Sequence, residues 1–170
     1  MKKKITVLTL CVVLFALCLP SQAQQQGKVF RIGFLDSSTA SGMAVLVKAF
    51  LQELSTLGWI EGKNFSIDYR FAEQKTVRLP ELAADLVRLK VDLIVATGRP
   101  ETLAAKKATT NISILMVSVG DPVASGLVAS LARPGGNVTG LSSLSFELNT
   151  KRLEILKDAV PKLARVGLLR

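Results

Sequence analysis

Three short stretches hold the residues of this chain best suited to gripping a small polar molecule. They are Asp36-Ser37-Ser38-Thr39-Ala40-Ser41-Gly42, Thr97-Gly98-Arg99-Pro100-Glu101-Thr102 and Ser118-Val119-Gly120-Asp121-Pro122. Each follows an apolar run and opens a helical period. The first amides of a helix lack partners inside it and can hold a carboxylate or phosphate. Ser37, Ser38, Thr97 and Thr102 add short hydroxyls, and Asp121 can pair with an ammonium. These are fittings for a small zwitterion. Helix capping accounts for any one of them taken singly. Three such loops on one rim point to a site.

Covalent chemistry finds little to work with. The chain has no histidine, so the commonest general base and metal ligand are missing. Without it no Ser-His-Asp triad can form, and no GxSxG elbow is present. Neither GxGxxG after the first strand nor GxxxxGK[ST] occurs. A phospho-receiver domain needs acids after its first and third strands. Asp36 is present, but Ala96-Thr97 and Gly120-Asp121 fill the other places. No catalytic residue, metal or cofactor is expected.

The elements that must position these loops alternate. Residues 29–35 read as a strand, and residues 43–57 as a helix with Val47, Phe50, Leu51, Leu54 and Leu57 at helical spacing. Residues 65–71 alternate polar and apolar, as in an edge strand. Residues 77–89 form an amphipathic helix, with Pro80 in its first turn. Residues 93–96 are a strand covered on both faces. Residues 100–108 are a helix, and 112–119 a buried strand. Asp121 caps a helix reaching about residue 131. Residues 138–141 are a short strand, 146–160 a helix, and 166–170 the start of a further strand. Strand–helix alternation with short connections gives a doubly wound parallel sheet of the α/β class.

The beginning of the chain is of a different kind. Lys2-Lys3-Lys4 precede the apolar residues 5–19, then Pro20-Ser21-Gln22-Ala23. This is the pattern of a secretory signal peptide cut after Ala23. The apolar run is shorter than the ~20 residues of a membrane-spanning helix. Removal of 23 residues leaves 147 of the 170, enough for one domain. The formal charge of +9 loses three lysines to become +6, spread without the clustering of a nucleic-acid face. Both cysteines, Cys11 and Cys18, lie in the leader. A lipobox wants a small residue before its cysteine, and Leu17 stands there. The expected location is the periplasm, without a lipid anchor.

Several of these segments carry a resemblance. Arg31-Ile32-Gly33-Phe34-Leu35, Leu57-Gly58-Trp59-Ile60-Glu61-Gly62-Lys63-Asn64, the stretch 78–95, Gly120-Asp121-Pro122-Val123 and above all the block 125–141 with Arg133-Pro134-Gly135-Gly136-Asn137 resemble the bacterial ABC-transporter substrate-binding protein family, which includes tryptophan- and tyrosine-binding members. The resemblance implies a type I periplasmic-binding-protein-like fold of two lobes clamping a ligand. It makes residues 28–141 the first lobe, 142–164 a crossing helix segment and 165–170 the first strand of a second lobe whose remainder is missing. By motif, Asp36, Ser37, Ser38, Thr97, Gly98, Gly120, Asp121 and Pro122 are carried over as ligand-binding positions; Thr102 joins them from the loop reading. Long Arg99 and Glu101 depart from the small residues usual there. The implied function is capture of an amino-acid-like solute and its delivery to an inner-membrane ABC permease, with no nucleic acid involved. A ligand-sensing module of a receptor, or a truncated product without function, are the alternatives.

Overall fold

Apolar β-rich runs and amphipathic periods become five strands and four helices in a computed structural model, which describes residues 28–143 and 145–167. The strands are β1 (Phe30–Asp36), β2 (Phe65–Phe71), β3 (Leu93–Ala96), β4 (Ser113–Val119) and β5 (Val138–Ser142). The helices are α1 (Ala40–Thr56), α2 (Leu79–Arg88), α3 (Arg99–Ala108) and α4 (Ser145–Ala159). A turn of 3-10 helix (Thr76–Arg78) leads into α2. All strand pairs are parallel, in the order β2-β1-β3-β4-β5. The parallel α/β class read from the sequence is what forms, with β2 at an edge.

The two faces of the sheet are unequally covered. Leu35, Ile94, Ala96, Ile114, Met116 and Val138 point to one side and are buried against Leu79, Leu82, Ala83 and Leu86 of α2 and Ala104 and Ala105 of α3. Gly33 lies beneath Leu86, whose methyl carbons sit 2.9 Å from where a Cβ would be. The alternate residues Phe34, Val95, Leu115 and Val117 point the other way, towards Met43, Val47 and Phe50 of α1. No residue of α1 is fully buried. The helix is nonetheless well terminated. Thr39 Oγ1 accepts from Gly42 N–H at 3.1 Å, and Gly58 at φ 84° ends it, with Trp59 N–H donating to Leu54 O at 2.9 Å.

One expected helix does not form. Residues 122–126 make turns that close when Leu127 N–H and Val128 N–H both donate to Pro122 O, at 2.9 and 3.2 Å. Gly126 at φ 67° reverses the chain, and Leu127 and Val128 are buried in the core instead of continuing a helical period. Residues 163–167 take no regular structure, and residues 168–170 of the expected further strand lie outside the described residues, as does the leader.

Candidate functional site

Strand order reverses at β1, so the carboxyl ends of β1 and β3 diverge into helices on opposite faces. That crevice is where open α/β sheets take their ligands. The first two polar loops meet there and are tied to each other. Asp36 is 6% exposed. Its Oδ1 accepts from Ser38 N–H at 2.6 Å and from the Ser38 hydroxyl, and its Oδ2 accepts from the Thr97 hydroxyl. In the reverse direction Ser37 N–H donates 3.0 Å to Glu101 Oε1. The carbonyls of Ser37 and Ser38 accept from Gln74 N–H (2.7 Å) and Glu73 N–H (3.1 Å), two residues held at positive φ.

Glu101 is 3% exposed, and its Oε2 has no hydrogen-bond partner among the described residues. It lies against Gly98, where a Cβ would come within 2.6 Å of Oε2. A Cβ at 98 would displace this carboxylate from its place over the start of α3. Thr102 is fully buried, its hydroxyl donating 2.6 Å to Gly98 O. Arg99 is exposed, with no partner among the described residues.

The third loop is more open. Asp121 is exposed, and its Oδ1 accepts from Val123 N–H (3.1 Å) and Ala124 N–H (2.9 Å). Its second oxygen has no partner among the described residues. The Ser125 hydroxyl donates 2.5 Å to Asp121 O. Gly120 is half-buried and Pro122 buried. At the end of β4 the register shifts between Met116 and Val119, and Ser118 takes φ 60° there, exposed to solvent. A serine in that conformation is uncommon and strained.

Beneath the rim a cavity of about 390 Å³ runs between α1 and the sheet. Phe34, Met43, Leu46, Val47, Phe50, Val95, Leu115 and Val117 make its apolar walls, and Asp36, Thr97 and Ser118 its polar end. The sequence shows the polar loops but not this cavity, because helical periodicity in 43–57 reads as ordinary core packing. Along the same face Tyr69 stacks on Phe71, with ring centres 6.0 Å apart. Burial, and secondarily the charge of Glu61, raises the Tyr69 phenol above its ordinary range and keeps it neutral. Among the described residues no group of three or more His, Cys, Asp or Glu could hold a metal ion, and no helix is long and apolar enough to cross a membrane.

Residues 36–170 match the family described as ABC transporter substrate binding protein, and the chain belongs to that family. A tyrosine-binding protein of Clostridioides difficile is 40% identical over 123 residues, covering 72% of this chain and 35% of that protein. Among solved structures, a ligand-free, open substrate binding protein with adhesive properties from Clostridium difficile is 35% identical with a TM-score of 0.66. A conserved domain protein from Vibrio cholerae is 30% identical with a TM-score of 0.71. Each of these two alignments covers 79% of this chain and 45% of the other. An ABC domain from Streptococcus pneumoniae in complex with L-Trp is 27% identical with a TM-score of 0.62, covering 68% of this chain and 39% of that one. The chain thus spans between a third and a half of the length of these relatives.

Proposed function

We propose that the protein is the extracytoplasmic solute-binding part of an ABC importer, exported by the leader cut after Ala23. It captures an amino acid with an apolar or aromatic side chain and passes it to a membrane permease without covalent chemistry. The cavity of about 390 Å³, apolar along its walls and polar at the strand ends, is the observation that carries this reading. Small-molecule sites have this size and this composition. The relatives named for tyrosine and found with L-Trp support the ligand class.

In this reading the free oxygen of Asp121 takes the ammonium. Ser37, Thr97, Gly98, Ser118 and Gly120 line the mouth. Asp36, Thr102 and Pro122 act by holding the loops in shape. The carboxylate goes to Arg99 and to the amides of Ala40 and Ser41 in the first turn of α1, which have no partners among the described residues. A charged group in a dry cleft must be paired, so Asp121 and Arg99 set a preference for zwitterions over neutral aromatics.

The test is calorimetric titration of the chain with tyrosine, tryptophan, leucine and indole, alongside amide chemical shifts. Saturable binding of an aromatic amino acid that perturbs Thr97 and Ser118, and is weakened by Asp121→Asn, is the expected result. Absence of binding by every amino acid, or indole binding as well as tryptophan, would refute it.

A further inference from the structure

The cavity between α1 and the sheet is polar at one end only, and that limits what its interior accepts. Asp36, Thr97 and Ser118 stand at or beside the carboxyl ends of β1, β3 and β4. From there the walls run inward. Leu115 lies three residues before Ser118, about 10 Å down β4. The helix α1 starts at the rim and runs back along the sheet, so Phe50 lies seven residues, about 10 Å, below Met43. Phe50 and Leu115 therefore mark the inner end, away from the charged and hydroxyl groups.

That inner end offers no hydrogen bond. The side chains of Phe34, Val47, Phe50, Val95 and Leu115 are hydrocarbon, and the Met43 thioether is a weak acceptor. The backbone of the sheet is already spent. Phe34, Val95 and Leu115 pair on both sides, with Tyr69, with one another and with Thr139. The pairing of β4 with β5 lapses at Val117 and Ser118, next to the polar end. The hydroxyls of Tyr69 and Thr139 belong to strands beyond Phe34 and Leu115, outside the lining.

Resting on the reading of this cavity as the amino-acid site, we infer that the chain selects amino acids whose side chain ends in hydrocarbon, phenylalanine foremost, and discriminates against tyrosine. A ligand held at the polar end by its ammonium and carboxylate sends its side chain towards Phe50 and Leu115. A phenyl ring is buried there and can meet the rings of Phe34 and Phe50 edge to face. The hydroxyl of tyrosine gives up its water on entry and finds no partner in exchange, so its desolvation goes uncompensated. The indole N–H of tryptophan meets the same lack, eased only by the Met43 sulfur. Within the apolar and aromatic amino acids, it is the unsubstituted ring that these walls fit.

Calorimetric titration of the chain compares phenylalanine, tyrosine and 4-methylphenylalanine, in which a methyl group replaces the hydroxyl at nearly the same size. Tyrosine should bind roughly ten- to a hundredfold more weakly than phenylalanine, and 4-methylphenylalanine about as tightly as phenylalanine. Phenylalanine should also shift the methyl resonances of Val95 and Leu115 through the current of its ring. Tyrosine binding as tight as that of phenylalanine would overturn the inference while leaving the amino-acid site in place. So would 4-methylphenylalanine as weak as tyrosine, which makes size the cause, or phenylalanine binding with both sets of methyl signals unmoved, which puts its ring elsewhere. If none of the three binds, the reading of the cavity as an amino-acid site falls, and this inference falls with it.

Discussion

Adding one methyl group at Gly140 should cost this fold a large part of its stability. Gly140 sits in β5 opposite Met116 of β4, at φ 143°. A Cβ there would stand 2.8 Å from Met116 N and 2.9 Å from Met116 C, and closer still to Met116 O. Those are backbone atoms of a central strand and cannot swing aside. Strain at such a φ costs about 1–3 kcal/mol. Forced overpacking adds about 1–3 kcal/mol. The alternative is that β5, an edge strand, lets go. It then loses its ladder with β4 and exposes Val138, now 2% exposed, which alone is worth about 1.5–3 kcal/mol. Either route gives a loss of roughly 2–6 kcal/mol, against a total of about 5–15 kcal/mol for a domain. Gly136, four residues earlier in the same loop-to-strand block, has nothing within 4 Å of its Cβ position. Gly136→Ala should stay within about 0.5 kcal/mol of the parent. Urea unfolding followed by circular dichroism separates the two. With a slope of about 1–3 kcal/mol per molar, Gly140→Ala should move the midpoint down by about 0.7 molar or more. A Gly140→Ala midpoint at the parent value, or a Gly136→Ala midpoint as low as that of Gly140→Ala, would refute the steric argument.

Two further outcomes follow from the carboxylates. Glu101→Ala removes a charge-assisted bond from Ser37 N–H, worth about 1.5–3 kcal/mol, but also a buried oxygen that has no partner, at a cost of similar size. Melting should barely move, while hydrogen exchange at the Ser37 amide rises roughly tenfold; Glu101→Gln, which keeps an acceptor, should restore protection. Unchanged exchange at Ser37 in the alanine variant would show that the two loops are held some other way. Asp92 accepts from Arg31 N–H at 2.9 Å and pairs with Lys28, and these contacts hold its carboxyl below the usual range. A carboxylate depressed in the folded state adds stability above its unfolded value near 3.9 and loses it as pH falls through the lower folded value. The stability gap between the parent and Asp92→Asn should therefore be constant at neutral pH and close below about pH 4; a gap that persists to pH 2 contradicts that assignment.

Much of the architecture is legible in the residues because the strands are read by burial on both faces. Leu93–Ala96 appears with the expected bounds, and the polar alternation of Phe65–Phe71 marks it correctly as an edge strand. The failure at Asp121-Pro122 is instructive. Aspartate followed by proline is a helix-start signal, and the carboxylate does cap the amides of Val123 and Ala124. A cap closes one turn as readily as it opens a helix, and here Gly126 and the burial of Leu127 and Val128 decide for the turn. Ser118 left no mark in the sequence, since a left-handed serine is imposed by the shifted pairing of β4 with β5. The cavity beneath α1 is invisible for a different reason. Spacing reports which side of a helix is apolar, not how closely that side approaches its sheet.

The polar rim raises a question of charge that bears on how a ligand is held. Asp36 and Glu101 are both buried, and no cation pairs with either among the described residues. Buried carboxylates in that condition usually call for a cationic guest. Here their surroundings already supply the positive potential. Asp36 lies just ahead of α1 and Glu101 within the first turn of α3, where helix dipoles and unpaired amides favour negative charge. The Ser37 and Ser38 amides and the Ser38 and Thr97 hydroxyls complete the stabilisation. The protein's own acids thus occupy the anion-binding positions that the loop sequences offer. In the proposed function a ligand carboxylate would find the Ser37 and Ser38 amides already taken, with Ala40, Ser41 and Arg99 among the donors left to it. The acid still able to meet an ammonium in the open is Asp121, which spends one oxygen on its turn and keeps the other. On the proposed function, discrimination among ligands therefore falls to a few free groups around an apolar cavity, while the hydroxyl-rich loops give that cavity a fixed edge.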